Sequence, residues 1–246
     1  AAAAGAGRAR VAPVAACVRT GLGMDVAQTA GLALATDLAT KESRSRVVAL
    51  LYFMLLIGMI GSALIFAALL ADFGYVRLIQ VIQSAAVVTL VFNVVAMLKQ
   101  EVRRPDLTDH RLARPGFGSA WQEFINLPLA RPLLWALGLG TMGFTMQDIL
   151  LEPYGAQVLG LSVADTTLLT AMYAGGMVVA LLLSARRLGK DADPIRTAAA
   201  GILIGIAAFA AVIFSAPLQA PGLFQLGAVL IGLGNGLFAV GMLTAA

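Results

Sequence analysis

Charged residues are scarce in this sequence. Only 12% of its 246 residues are Asp, Glu, Lys or Arg, well below the roughly 25% of an average soluble domain. By contrast, 60% of the residues are hydrophobic and the mean hydropathy is +0.89. This composition excludes an ordinary soluble domain and indicates an integral membrane protein.

Cysteine and histidine each occur once. Cys17 alone cannot form an internal disulfide, and its apolar segment favours a packing role. His110 lies in a polar interval between apolar segments. The sequence also lacks a nucleophile–base pair, a Cys/His cluster for a metal, and a glycine-rich phosphate loop that follows a strand. We therefore expect no enzymatic activity and no directly bound metal.

The net charge of +4 does not indicate a nucleic-acid partner. The basic residues do not form one amphipathic face but lie in short clusters between apolar segments, at residues 41–46, 99–131 and 186–196. These clusters occupy every second connection, and the positive-inside rule places such loops in the cytoplasm. We expect the basic side chains to fix topology and to contact anionic membrane lipids. Arg77 is an exception on the predicted outer side.

Apolar runs of about 20 residues recur along the chain, long enough for helices that cross a membrane, and the alternating pattern of barrel strands is absent. We predict an all-α polytopic membrane protein with about seven transmembrane helices, at residues 12–38, 47–71, 75–98, 132–157, 162–185, 194–214 and 222–246. Because the chain is still apolar where it stops, we expect it to be the interior of a longer protein.

A polar interval divides the predicted helices into two groups. Residues 1–98 are expected to be the rest of one helical half, residues 99–131 a cytoplasmic loop, and residues 132–246 part of a second half. Within the loop, residues 119–127 favour a short interfacial helix with Trp121 and Phe124 at the lipid headgroups.

Several small and polar residues predict how the later helices begin and pack. Ser162 is a candidate helix cap, with Asp165 three residues further on. The spacing of Gly201 and Gly205 is typical of close helix–helix contact, as is the glycine-rich segment 232–236. Asn235 lies inside that segment, so its amide needs a hydrogen-bond partner.

The most polar stretch within an apolar segment is residues 146–155, MQDILLEPYG. Asp148 and Glu152 are four apart and share a helical face, with Gln147 beside them and Tyr154 close by. A charge at bilayer depth costs roughly 2.5–3.5 kcal/mol on insertion scales. We consider two interpretations: the cluster pairs with another helix and holds the structure together, or it faces a cavity or groove that contacts a ligand. Pro153 is expected to disturb the helix here.

A second polar cluster lies on the first predicted helix. It contains Arg19, Asp25, Gln28 and Asp37, of which Asp25 and Gln28 share a face. We predict a charge-compensated packing network of Arg19, Asp25 and Asp37, with a proton relay as the alternative.

Five segments of the sequence are distinctive: AQTAGLALATD at 27–37, ESRSRVVALLY at 42–52, RLIQV at 77–81, MQDILLEPYG at 146–155 and GMLTAA at 241–246. Together they resemble the PucC/LhaA family of light-harvesting complex assembly proteins, also called the bacteriochlorophyll delivery family. The resemblance runs from about residue 20 to the end. Three helices, a long basic loop and four helices also resemble the middle of a major facilitator superfamily bundle, helices 4–10 of 12.

The resemblance implies a multi-pass protein of the bacterial inner, intracytoplasmic photosynthetic membrane. It implies an assembly factor whose partners are light-harvesting antenna polypeptides and the reaction centre, and which delivers bacteriochlorophyll to the antenna. A secondary transporter of an amphipathic small molecule, working by alternating access, is the alternative.

The resemblance carries no established set of functional residues, so the pigment-site candidates come from their chemistry. Bacteriochlorophyll needs an axial ligand for Mg²⁺, which accepts oxygen donors. His110 lies in the predicted loop, which leaves Gln147, Glu152, Gln28 or Asn235, or a water that they hold, as the axial ligand. We take Gln147 and Glu152 as the first candidates for this contact. The full set of pigment-facing or cavity-facing candidates is Gln147, Asp148, Glu152, Tyr154, Gln28 and Asn235.

Overall fold

Helices account for almost all of the structure. The computed structural model describes residues 2–40, 44–98, 116–188 and 193–245, and these ranges contain no strand. The helices are α1 (Ala2–Leu38), α2 (Arg44–Leu69), α3 (Tyr75–Met97), α4 (Phe117–Ile125), α5 (Ala130–Val158), α6 (Val163–Leu188), α7 (Pro194–Ser215) and α8 (Pro221–Ala245). The all-α class is confirmed, and the arrangement of the major facilitator superfamily stays a prediction.

Five of these helices are long and apolar enough to cross a membrane. They are the segments Val47–Leu69, Tyr75–Met97, Val163–Arg186, Pro194–Ser215 and Pro221–Ala245. The chain is therefore a multi-pass membrane protein. The other two predicted spans are also helical, within α1 and α5, but they carry more charged, polar and small residues. Whether α1 and α5 cross the membrane stays a prediction.

The chain divides into two compact units, Ala1–Leu55 and Leu56–Ala246, with the boundary inside α2. The first unit consists of α1 and the beginning of α2, and the described side chains of α1 are mostly exposed. The second unit contains the remaining helices and the buried core. The predicted division at residues 98 and 131 stays a prediction.

Helix α8 is the centre of the second unit because glycines let it pack closely against two neighbours. A β-carbon on Gly232 would overlap the backbone carbonyl of Tyr173 on α6, and a β-carbon on Gly201 of α7 would overlap the carbonyl of Gly234. Such contacts require residues without a side chain at the interface. The predicted packing faces of α7 and α8 are therefore confirmed.

Aromatic rings attach α5 to this core. The ring of Phe144 lies 5.7 Å from that of Phe238 on α8, centroid to centroid. Gly205 on α7 leaves space for Phe144, and Gly140 leaves space for Phe238. Further along α5, Tyr154 packs against Phe224 with ring centroids 5.8 Å apart.

The beginning of α6 is fixed by the predicted cap. The Asp165 N–H donates to Ser162 Oγ over 3.2 Å, and the Ser162 N–H donates to Asp165 Oδ2 over 3.2 Å. This reciprocal pair is a capping box with Asp in place of the usual Glu or Gln. The cap prediction is confirmed.

Proline has different effects at the two ends of α5. Pro132 lies in the first turn, where its missing N–H leaves no hydrogen bond unmade. Pro153 lies inside the helix, yet α5 continues to Val158. The expected disturbance at Glu152 does not end the helix, because a membrane helix can carry a proline where its surroundings satisfy the freed backbone groups.

The predicted short helix in the central interval is α4, which begins two residues before the predicted start. Its aromatic side chains Phe117, Trp121 and Phe124 stack in sequence, with centroids 6.1 and 6.0 Å apart, and all three are exposed. The earlier part of the interval, residues 99–115 with His110, lies outside the described residues. The side chains of residues 41–46 and 187–192, which belong to the other two predicted basic loops, also lie outside the described residues.

Candidate functional site

A cavity of about 190 Å³ lies in the second unit, between residues of α2, α5 and α6. Three apolar and four polar side chains line it: Met59, Leu151, Leu169, Gln147, Glu152, Thr170 and Tyr173. Two of the predicted site residues, Gln147 and Glu152, are therefore brought together at one cavity. The residues on α6 and α2 were not predicted.

Helix α5 supplies three of the lining residues. Leu151 follows Gln147 by about one helical turn and points in nearly the same direction, whereas Glu152 points about 100° further round the helix and lines the edge of the cavity. The side chain of Gln147 is only 4% exposed, whereas that of Glu152 is exposed. Glu152 can thus be reached from outside, and Gln147 only through the cavity.

Helix α6 supplies the opposite wall through Leu169, Thr170 and Tyr173. The Thr170 hydroxyl donates a hydrogen bond to Glu152 Oε1 over 3.0 Å, which connects α6 to α5. This contact agrees with the interpretation that Glu152 pairs with another helix. It also orients one carboxylate oxygen and leaves the other available to a ligand.

Asn235 connects the central helix to the cavity wall. Its amide nitrogen donates to the phenol oxygen of Tyr173, which is 8% exposed. The prediction that this amide needs a partner is confirmed, and the partner is a lining residue. Asn235 itself does not line the cavity, so it acts there only through Tyr173.

The chemistry of the described lining is acidic and rich in oxygen. Glu152 is its one carboxylate, and no basic side chain lines the cavity. The described residues contain no group of three or more His, Cys, Asp or Glu side chains able to hold a metal. The lining can accept hydrogen bonds and hard cations, but it has no base–nucleophile arrangement.

Tyr154 does not belong to the site, contrary to the prediction. Residues two apart in a helix point about 200° away from each other, so Tyr154 faces away from Glu152. Its ring packs against Phe224 in the core. The side chain of Asp148 lies outside the described residues, so its predicted place on the face of Glu152 stays a prediction.

The predicted polar residues of α1 lie in the first unit. Arg19, Asp25, Gln28 and Asp37 are exposed, and in the described part of the chain no ion pair joins Arg19 to Asp25 or Asp37. At 1.5 Å per residue, Arg19 and Asp37 are about 27 Å apart along one helix. The structure does not bring these charges together, and their network and pigment roles stay predictions.

The sequence contains a recognisable signal for two of the four lining residues on α2 and α6, which were not predicted. Thr170 and Tyr173 are polar, three residues apart, and lie inside an apolar span. That spacing predicts a shared face, as it did for Asp25 and Gln28. Met59 and Leu169 give no such signal, because nothing distinguishes them from other apolar residues of their helices.

The cavity is too small to enclose a chlorophyll-type ring. Pockets that enclose a drug-sized ligand measure roughly 300–1,000 Å³, and the ring system of a bacteriochlorophyll is larger than most such ligands. Gln147 is buried and Glu152 is exposed, and the predicted contact of either residue with pigment magnesium stays a prediction.

The whole chain, residues 1–246, matches a family model described as PUCC protein. Protein PucC of Rhodovulum sulfidophilum is 50% identical over 228 residues, which cover 92% of this chain and 50% of that protein. An uncharacterized protein in the puhA-bchM intergenic region of Rhodobacter capsulatus is 51% identical over 227 residues, covering 92% and 48%.

A more distant relative is the bacteriochlorophyll synthase 44.5 kDa chain of Rhodobacter capsulatus. It is 28% identical over 245 residues, which cover 95% of this chain and 55% of that protein. The chain thus spans about half the length of the curated relatives that it matches. Among solved structures, none matches the chain significantly.

Proposed function

Because the chain belongs to the PUCC protein family, we propose that it takes part in assembling photosynthetic complexes in the inner membrane of a phototrophic bacterium. The observation that carries the proposal is the family match over all 246 residues, supported by 50% identity to a Protein PucC. The five apolar helices agree with a site of action in the membrane. Our expectation that the chain is not an enzyme stays a prediction.

The finer proposal is that the protein guides antenna polypeptides to their place around the reaction centre. Helix α3 supports this proposal, because nearly all of its apolar side chains are exposed and can contact a neighbouring helix. Helices in lipid associate through close packing and polar contacts rather than through the hydrophobic effect. The exposed amides Gln80 and Gln83 on α3 offer such polar contacts to a newly inserted helix.

Delivery of bacteriochlorophyll is the second part of the proposal. One relative is called a bacteriochlorophyll synthase chain, and a pigment bound here would supply a magnesium ion that accepts an oxygen ligand. We assign that oxygen to Glu152, because its side chain is exposed and its carboxylate accepts a hydrogen bond from Thr170. Buried Gln147 would act through water in the cavity.

A secondary transporter of an amphipathic molecule is the other candidate function. The observation that favours it is a cavity with polar and apolar walls inside a membrane protein, as expected of a transport site. The volume of about 190 Å³ restricts such a substrate to a small molecule or to one end of a larger one.

The proposed function is tested by purifying the protein from pigmented membranes in mild detergent. We expect the absorption bands of bacteriochlorophyll and co-purifying antenna polypeptides. A colourless protein without antenna subunits would contradict the proposal.

The pigment contact is tested with matched variants. Glu152→Ala should lower pigment occupancy more than Gln147→Ala, because only Glu152 is exposed. Glu123→Ala makes the same chemical change on α4, outside the cavity, and serves as the control. Equal occupancy in the wild type and in the Glu152 variant would remove Glu152 as a ligand.

A further inference from the structure

Beyond the assembly role, we propose that the cavity between α5 and α6 binds one monovalent cation, with Glu152 as its charged ligand. The site lies in a part of the second unit where α5 and α6 are joined by the Thr170–Glu152 hydrogen bond. It depends on the geometry of the cavity and not on pigment or antenna binding.

The charge of the lining is the first argument. Among the described lining residues, Glu152 is negative and no residue is positive. Within that part of the chain, Thr170 is the hydrogen-bond partner of Glu152, and it is neutral. An ionised carboxylate in a membrane protein usually pairs, binds an ion or faces water. A bound cation provides the missing positive charge.

The oxygen atoms of the lining are the second argument. Glu152, Thr170, Gln147 and Tyr173 each place an oxygen-bearing group at the cavity. Hard cations take oxygen ligands from carboxylates, amides and water. Asn235 fixes the phenol of Tyr173 through its hydrogen bond, so one wall of the site is held in place by α8.

The volume of the cavity and the net charge of its lining indicate which kind of cation binds. A cavity of about 190 Å³ holds an ion together with several waters, so the four side chains need not complete the coordination shell. The described lining contributes a single negative charge. A monovalent cation neutralises it, whereas a divalent cation would leave one positive charge without a partner among the described lining residues.

The experiment uses purified, pigment-free protein in detergent. Its melting temperature is measured as a function of the concentration of NaCl or KCl, and choline chloride is added to keep the ionic strength constant. We expect a saturable rise with at least one alkali cation, because a ligand that binds only the folded state stabilises it. The rise should be lost in Glu152→Gln and retained in Glu123→Gln. No rise in the wild type, or the same rise in Glu152→Gln, would overturn the proposal.

A second measurement keeps the test independent of folding defects. Thr170→Val retains the carboxylate and removes only the hydroxyl, so it should weaken binding of radioactive Na⁺ or of the K⁺ analogue Rb⁺ several-fold without abolishing it. If the wild type binds neither ion, the proposal is wrong. Neither of these experiments measures antenna assembly. A failure to observe antenna assembly would therefore contradict only the proposed function.

Discussion

Neighbouring glycines on α6 have different surroundings. A β-carbon on Gly176 would overlap the backbone carbonyl oxygen of Val229 on α8, whereas a β-carbon on Gly175 would meet no atom within 4 Å. The difference arises because adjacent helical residues point about 100° apart, and here Gly176 faces α8 whereas Gly175 does not. The sequence identifies a glycine pair, and only the structure shows which member is needed for packing.

We predict that Gly176→Ala lowers the free energy of unfolding by about 1–3 kcal/mol, the usual cost of overpacking. Gly175→Ala should leave stability unchanged or raise it, because alanine has the higher helix propensity. Thermal or denaturant unfolding in the same detergent compares the two variants. Equal destabilisation by both would contradict the packing described for α6 and α8.

The Asn235–Tyr173 hydrogen bond should contribute measurably to stability. Asn235→Leu and Tyr173→Phe each remove one partner, and a double-mutant cycle isolates their coupling energy. Interhelical hydrogen bonds in membrane proteins are worth roughly 0.6 kcal/mol on average and up to about 1.7 kcal/mol. We expect coupling within this range, and additive effects of the two substitutions would show that the bond does not form.

At the scale of helices, local sequence carries most of the information. Apolar length predicts the long helices, and Ser162 with Asp165 predicts where α6 begins. One prediction from residues 146–155 was wrong, because Tyr154 packs against Phe224 in the core and does not line the cavity. Helix α5 continues through Pro153, in agreement with the predicted span 132–157. The position of Tyr154 depends on neighbouring helices, which the stretch itself does not specify. The hydrogen-bond partners of Glu152 and Asn235 could not be predicted for the same reason, because Thr170 and Tyr173 lie on a different helix, α6.

Helix α4 should lie at the membrane surface. Its exposed aromatic side chains form one face, which is typical of interfacial helices. In a Trp135→Phe background, Trp121 is the one remaining tryptophan. We predict that lipids brominated near the headgroup quench its fluorescence more than lipids brominated at the chain end. Quenching by an aqueous quencher alone would place α4 away from the membrane.

At the scale of the whole molecule, the structure and the family match describe one multi-pass membrane protein with a close-packed helical core and a polar cavity beside it. Composition was sufficient to predict the membrane and the all-α class. The cavity was not predictable, because it depends on how α5 and α6 meet and on a methionine of α2. The assembly role rests on the family rather than on any feature of composition.

The most direct test of the assembly role is the near-infrared absorption of membranes from the source bacterium with and without this protein. We predict that deletion lowers antenna absorption relative to the reaction centre, and that the wild-type gene restores it. Pigment extracted from whole cells serves as the control for synthesis. An unchanged ratio of antenna to reaction-centre absorption in the deletion strain would contradict a role in antenna assembly.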